Sequence, residues 1–254
     1  MAGLLDDWEL RADGAAISDT VVPVRFEGTA AVLKTAAREQ EHLVLRRWGG
    51  TGAVRLLRAD PHRRALLLER LRPESLETLD ERAACAVVVD LYRLLHVPAM
   101  PQLPSVATLL PQWAEALGEL PRGAPVPHRL VEQAAALCRE LAGEPADQVL
   151  HGNLHYGNVL AAARTPWLAI SPDPVNGTPA YELAPMLWSR WDDIAGDVRG
   201  GVQRRFYTLI DAAGFYEDLA RAWVLVRVAR AAVAALDDPV ALTKYVALSK
   251  AVQN

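Results

Sequence analysis

The first part of the chain alternates apolar and polar positions, which is the pattern of half-buried β-strands. Short runs rich in valine, alanine and leucine are separated by turn signals such as Glu27-Gly28. They predict two hairpins, with strands over 20–26, 29–35, 53–60 and 65–71. Between the hairpins, 36–48 carries leucines and a tryptophan among charges, which predicts a helix ended by the following glycines. The predicted order is therefore β-β-α-β-β.

After Leu71 the apolar residues recur with helical spacing. Helices are predicted over 76–96, 105–118 and 126–142, with further helices from Tyr181 to the end. A proline-rich connector and a further hairpin, 158–161 with 167–170, lie between them. The contrast predicts an α+β fold of two lobes, a small β-rich lobe over 1–71 and a larger helical lobe over 72–254.

The composition is that of an ordinary globular protein, with 254 residues, 51% hydrophobic and 23% charged. Lysine and arginine number 27 against 31 aspartates and glutamates, so the net charge is −4. This balance argues against nucleic acid or an anionic membrane surface as a partner. Because the sequence shows neither a signal peptide nor an apolar run long enough to span a bilayer, we expect a cytoplasmic protein without a membrane segment.

The most specific motif is His151-Gly152-Asn153-Leu154-His155-Tyr156-Gly157-Asn158. It resembles the H-G-D-x-H-x-x-N catalytic loop of the aminoglycoside phosphotransferases, small-molecule relatives of the protein kinases. The segment PWLAISPDPVNGTPAYELAPMLW, 166–188, is similar to the streptomycin and hydroxyurea subgroup of that family. The resemblance covers about residues 8 to 191. It implies a kinase-like two-lobed fold and ATP-dependent, Mg²⁺-assisted phosphoryl transfer to a small-molecule hydroxyl, in antibiotic resistance or biosynthesis.

The resemblance also implies a nucleotide site. Lys34 is one of only three lysines in the chain and lies near the end of the predicted strand 29–35. It would pair with the phosphates and be held by Glu41 in the second turn of the next helix. The backbone from Glu69 to Leu71 would receive the adenine. Taken locally, the same residues are equally typical of a solvated lysine and a plain edge strand.

Two family carboxylates are missing. Asn153 stands where the family has the aspartate that accepts the proton, and a carboxamide can orient a hydroxyl but cannot act as a base. Ser171 stands where the family has a metal-binding aspartate, while Asn158, the other metal position, is retained but neutral. The nearest carboxylate is Asp173, which makes it a candidate for metal binding and catalysis.

The loop expected over the phosphates is changed as well, since 12–24 holds one glycine, Gly14, and brings in Asp19. Three altered phosphate-handling elements favour a pseudokinase-like protein that keeps its small-molecule cleft. One alternative is an active phosphotransferase that uses Asp173 and Asn158 for the metal. Another is a non-catalytic protein, or one with a remodelled cleft, that binds a partner in a natural-product pathway.

Acidic and aromatic residues follow the motif. The resemblance places four of them at the acceptor pocket for a small hydroxylated or cationic molecule, namely Glu182, Trp188, Trp191 and Asp192. A tryptophan pair in the core with a solvated helix end is the alternative. His151 is a catalytic-loop candidate; its spacing from His155 would suit a metal on a helix, but the intervening Gly152 favours a loop and a structural hydrogen-bonding role.

Overall fold

A computed structural model describes residues 2–253, so the ends of the two predicted lobes, residues 1 and 254, lie outside the described residues. The expected α+β architecture of two lobes is confirmed. The small lobe consists of α1 (Ala2–Asp7), β1 (Arg11–Ala12), β2 (Val21–Phe26), β3 (Thr29–Lys34), α2 (Glu41–Trp48), β4 (Leu56–Asp60) and β5 (Ala65–Glu69). Its strands form one antiparallel sheet in the order β1-β2-β3-β5-β4.

Strand β5 shows how the sheet divides the core. Ala65 and Leu67 lie on one face, in a small cluster with Leu4 and Trp8 from the α1 region. Leu66 and Leu68 lie on the other face and belong to the main core, because successive side chains of a strand point to opposite sides. The sequence did not predict α1 or β1, since both are too short to show a clear period.

Helix α2 is shorter than the 36–48 predicted. Ala36 has a φ of +53°, which a helix cannot accommodate, and the chain turns before Gln40. The helix ends as predicted, at Gly49, whose φ of +58° caps the last turn. Glu41 is therefore the first residue of α2 and not part of a second turn, which places its side chain next to the end of β3.

The large lobe has seven α-helices within the described residues: α3 (Glu81–Leu95), α4 (Val106–Gly118), α5 (His128–Leu141), α6 (Ala184–Trp188), α7 (Val198–Ala213), α8 (Glu217–Ala234) and α9 (Pro239–Gln253). Two short antiparallel pairs frame the motif, β6 (Gln148–Leu150) with β9 (Val175–Gly177) and β7 (Val159–Ala161) with β8 (Trp167–Ala169). The β7–β8 hairpin follows the prediction, while the β6–β9 pair was not predicted. Within residues 2–253, no helix combines the length and apolarity needed to cross a bilayer.

Backbone hydrogen bonds join the lobes beside the motif. The Ala169 N–H donates to the Gly52 carbonyl, and the Val54 N–H donates to the Ala169 carbonyl, both at 2.9 Å. Arg164 in the β7–β8 turn adds an ion pair with Glu69 at 2.7 Å and a hydrogen bond to the Ala53 carbonyl. The end of β5 is thus fixed against the hairpin that carries Ser171 and Asp173 just beyond it.

Candidate functional site

Lys34 and Glu41 meet at the inner side of the small lobe. The Lys34 Nζ donates to Glu41 Oε1 at 2.6 Å, and the Glu41 side chain is fully buried. Glu41 Oε2 accepts from the backbone N–H of Arg38 at 3.2 Å. Because both carboxylate oxygens are used, Glu41 fixes the position and charge of the Lys34 ammonium at the lobe boundary.

Ser171 lies directly beside this pair. Its Oγ accepts a second hydrogen bond from Lys34 Nζ, at 3.2 Å. Ser171 has a φ of +53°, in the left-handed region that few non-glycine residues adopt. The backbone therefore holds the hydroxyl against the lysine, at the position where the resemblance expects a metal-binding carboxylate.

His151 is buried beneath the motif, with both ring nitrogens in use. Nε2 donates to the Ile170 carbonyl at 3.0 Å, and Nδ1 accepts from the Asn153 N–H at 3.3 Å. Burial lowers the pKa of His151 to about 4, against an ordinary 6.5. The imidazole is thus neutral, and it connects the motif to the end of β8. His155 makes its own turn contact by accepting from the Gly157 N–H, so each histidine serves the local backbone.

The expected acceptor role of Glu182 is corrected by the structure. Its side chain is fully buried and accepts from the backbone N–H groups of His151 and Gly152. Burial pushes the pKa of Glu182 upward, but nearby His96, His151 and Arg227 outweigh it and hold that pKa below its ordinary value. Glu182 therefore holds the motif backbone from inside the protein, where a substrate cannot reach it.

Arg227 of α8 is a site residue that the sequence reasoning missed. Its guanidinium donates to the Gly152 carbonyl at 2.7 Å and to the Tyr181 carbonyl at 2.9 Å. Glu182 and Arg227 thus bind the N–H and the C=O of the same residue, Gly152. The available signal was an arginine in an apolar stretch of a helix, because a buried charge of this kind needs an internal partner.

Gly152 itself is required by the shape of the loop. Its φ is +75°, and a Cβ there would overlap the carbonyl oxygen of Asp173. The Asp173 N–H also donates to the His151 carbonyl at 2.8 Å. The motif and the segment after Ser171 therefore lie in direct backbone contact.

The two asparagines of the motif lie on its open side. Asn158 Nδ2 donates to the Asn153 carbonyl at 2.8 Å, which leaves Oδ1 as its remaining acceptor. The carboxamide of Asn153 is half-buried and makes no hydrogen bond to another residue in the described part of the chain. It can accept or donate a hydrogen bond to a bound hydroxyl, but it cannot take up the proton.

Asp173 faces the small lobe and pairs with a residue that the sequence reasoning did not single out. Arg38 Nη1 lies 3.0 Å from Asp173 Oδ1, and about half of each side chain is exposed, 54% and 52%. Nothing in the local sequence of Arg38 marks it, because its partner lies in the other lobe. The carboxylate proposed for a metal is thus engaged by a cation.

The residues at the expected metal position do not fit Mg²⁺. This ion is held in proteins by carboxylate oxygens together with phosphates and water. Here Ser171 and Asn158 are neutral, the Lys34 ammonium lies against Ser171, and Asp173 is paired with Arg38. Across residues 2–253 there is also no group of three or more histidine, cysteine, aspartate or glutamate side chains that could hold a metal.

The segment expected to receive an adenine follows β5. The Glu69 carboxylate is occupied by Arg164 and by the Arg55 N–H, at 2.7 Å each, so only its backbone could serve a ligand. Leu71 is half-buried against the main core. Next to it, Arg70 pairs with Asp13 from the loop after β1, which closes this side of the lobe boundary.

The loop between β1 and β2 is a tight turn at its tip. Ser18 and Val21 pair through their backbones, which leaves Asp19 and Thr20 at the corner. Asp19 is exposed there. The backbone N–H groups of Ile17, Ser18 and Val21 therefore donate to carbonyls within this turn.

Trp188, Trp191 and Asp192 lie in the large lobe among cations of this chain. Trp188 contacts Tyr245 edge to face, at 5.7 Å between ring centroids, and the Arg227 guanidinium lies 5.4 Å from its ring. Lys244 Nζ lies 5.9 Å from the Trp191 ring. Asp192 is exposed, while Trp188 and Trp191 are half-buried. Protein cations thus already lie by both indole rings.

Solved structures with this architecture define the class of fold. An aminoglycoside phosphotransferase, APH(4)-Ia, solved as a thermostable mutant with ADP and hygromycin B, matches with a TM-score of 0.66 and 15% identity, over 99% of this chain and 97% of the other. The choline kinase LicA from Streptococcus pneumoniae also matches with a TM-score of 0.66, at 10% identity, over 99% and 96%. The fold is therefore that of the kinase-like small-molecule phosphotransferases.

Sequence comparison gives the family. Residues 8–239 match the model of the aminoglycoside/hydroxyurea antibiotic resistance kinases, so this chain belongs to that family. It is 42% identical to the streptomycin 6-kinase of Streptomyces glaucescens, over 92% of this chain and 81% of the relative. It is 40% identical to the hydroxyurea phosphotransferase of Kitasatospora aureofaciens, over 90% and 70%. The resemblance found in the motif is confirmed.

Proposed function

We propose that this protein binds ATP and a small hydroxylated molecule between its lobes, as a pseudokinase-like family member with impaired phosphoryl transfer. The family supports the pair of ligands, since a solved protein of the same fold was obtained with ADP and hygromycin B together. The Lys34–Glu41 pair, which holds an ammonium group at the lobe boundary, supports retention of a nucleotide site.

One observation carries the impaired transfer. Asn153 presents a carboxamide, and Ser171 presents a hydroxyl bonded to Lys34, at the two positions where carboxylates would accept a proton and bind a metal. General base catalysis typically contributes about 10²- to 10⁴-fold to a rate. Without either carboxylate, positioning remains available, but proton removal and charge neutralisation are weakened.

The large lobe favours a hydroxylated acceptor over a polycation. Arg227 and Lys244 already lie by the indole rings of Trp188 and Trp191, and Glu182 is buried. A polycationic molecule would meet these two protein cations. Of the exposed acids in this region, Asp193 and Asp197 already pair with Arg190 and Arg204, whereas Asp192 is not in such an ion pair within the part of the chain that the structure describes. The free carboxamide of Asn153 suits a hydroxyl group.

The test combines ATP binding with turnover. We expect isothermal titration to show ATP binding to the wild-type chain, and phosphate transfer to streptomycin and hydroxyurea to be slow. The double variant Asn153→Asp/Ser171→Asp should transfer phosphate at least about 10²-fold faster, because it restores a base and a metal ligand. A wild-type rate equal to that of the double variant, when both transfer readily, would contradict the proposal.

The matched control is Asn153→Ala/Ser171→Ala, which changes the same two positions without adding a carboxylate. It should remain as slow as the wild-type protein while it still unfolds cooperatively. A gain of rate in this variant would show that the increase comes from altered shape and not from the added carboxylates.

A further inference from the structure

Two cations of the small lobe are available for phosphates at the lobe boundary. Lys34 is held by Glu41 at 2.6 Å, and only 16% of its side chain is exposed. The Arg38 backbone N–H binds the other oxygen of the same Glu41 carboxylate. The Glu41 carboxylate therefore holds both residues, the first by its ammonium group and the second by its backbone. Both side chains contact the segment that contains Ser171 and Asp173.

The contact made by Arg38 can be exchanged for another. Its ion pair with Asp173 is about half exposed on both sides, and such exposed pairs contribute little to stability because water screens them. A phosphate offers the same guanidinium a bidentate partner with more negative charge. Arg38 can thus turn from Asp173 to a phosphate at small cost.

A divalent cation meets the opposite conditions. At the place expected for it, Lys34 Nζ lies 3.2 Å from Ser171 Oγ, and a second positive centre there would be repelled. The Asn158 carboxamide is neutral, and the Asp173 carboxylate is paired with Arg38 and also interacts electrostatically with Arg230. The one carboxylate that Mg²⁺ carried in on a nucleotide would meet there thus lies among arginines, and the metal would compete with Lys34 and Arg38 for the phosphate oxygens.

We infer that the cleft binds the nucleoside triphosphate as the metal-free anion, with Lys34 and Arg38 facing its phosphates in place of Mg²⁺. The inference rests on the proposed function, because it requires that the cleft binds a nucleotide. It specifies the ionic form of that nucleotide. It also names Arg38 as the residue that neutralises phosphate charge in the absence of a metal.

The deciding experiment is isothermal titration of ATP into the full chain, once with EDTA and once with excess MgCl₂. We expect the Kd in EDTA to be at least about threefold lower than the Kd with Mg²⁺, a difference that titration resolves. Binding only with Mg²⁺, or clearly tighter binding with it, would overturn this inference and leave the proposed nucleotide site standing. No binding in either buffer would overturn both.

Two variants assign the effect to Arg38. Arg38→Gln should raise the Kd for ATP in EDTA by about tenfold, since it removes a charge-assisted bidentate contact. The matched control is Arg46→Gln, an exposed arginine on α2 outside this cluster, which should leave the Kd unchanged. Equal Kd values for both variants and the wild type would refute the role of Arg38.

Asp173→Asn gives opposite results under the two views of Asp173. If this carboxylate only occupies Arg38, its removal frees the guanidinium and tightens metal-free ATP binding. If it is a metal ligand, the same change weakens binding in Mg²⁺ and leaves binding in EDTA unaltered.

Ser171→Asp adds a carboxylate beside Lys34 and should reverse the preference, so that Mg²⁺ tightens ATP binding. Thermal unfolding of each variant verifies that it is folded.

Discussion

The buried side and the open side of the motif differ in how their polar groups are engaged. On the buried side, His151, Glu182 and Arg227 have their polar atoms engaged with backbone groups of the motif or its neighbours. On the open side, Asn153 and Ser171 are neutral, and Asp173 is held by an exposed arginine. We call the first set the frame and the second set the rim.

The difference shows that holding a catalytic loop and performing catalysis are separate demands. A buried polar or charged group without its partner is costly, so a single change in the frame should lower stability clearly. The rim faces solvent, and its side chains can be exchanged at little cost to stability. A chain can therefore lose rim carboxylates while its frame stays intact.

The largest effect is expected for Glu182→Ala. It removes the acceptor of two buried N–H groups and leaves Arg227 near an unbalanced site, which should cost more than about 3 kcal/mol of unfolding free energy. Asp192→Ala, the exposed acid once grouped with it, should stay within about 0.5 kcal/mol. Urea unfolding measures both. If both variants lost a similarly small amount of unfolding free energy, Glu182 would not be a structural part of the frame.

Acid should weaken the frame through His151. Its pKa is about 4 in the folded protein and ordinarily 6.5, so the unfolded chain binds the proton more tightly between these values. Stability then falls as the pH is lowered from 6.5 toward 4, by up to roughly 3 kcal/mol from this residue. The pH slope of urea unfolding should be smaller in His151→Gln than in the wild type. An unchanged slope would mean that His151 is not buried as a neutral ring.

The smallest effects should distinguish two ion pairs. A double-mutant cycle on Arg38 and Asp173 should give a coupling energy below about 1 kcal/mol, because both side chains are half exposed. The cycle on Lys34 and Glu41 should give a larger value, since Glu41 is fully buried. Each cycle needs the two single variants and the double variant in urea unfolding. The reverse order would show that burial does not decide the strength of these two pairs.

Local pattern was sufficient for much of the fold. The hairpins and most helices could be predicted because their apolar spacing is regular, and the motif could be found because its spacing is specific. The Lys34–Glu41 contact was implied by the family resemblance, with which the short separation along the chain agrees. The start of α2 could not be predicted, since it depends on Ala36 adopting a positive φ.

The frame and the Arg38 pair depend on contacts between distant segments. As a carboxylate near the motif, Glu182 was expected to face the acceptor molecule. Its complete burial becomes visible only in the folded structure. Arg227 binds backbone carbonyls of Gly152 and Tyr181, which carry no side-chain signal at all. Arg38 meets Asp173 only after the lobes are assembled.

The crowded backbone at Gly152 also limits what a histidine–glycine pair in a sequence says about activity. The fold requires glycine here because the Asp173 carbonyl leaves no space for a side chain, whatever reaction the neighbouring groups support. A histidine followed by glycine thus records the geometry of a turn. Whether a chain with this pair of residues turns over substrate depends on the side-chain oxygens at positions such as 153 and 171.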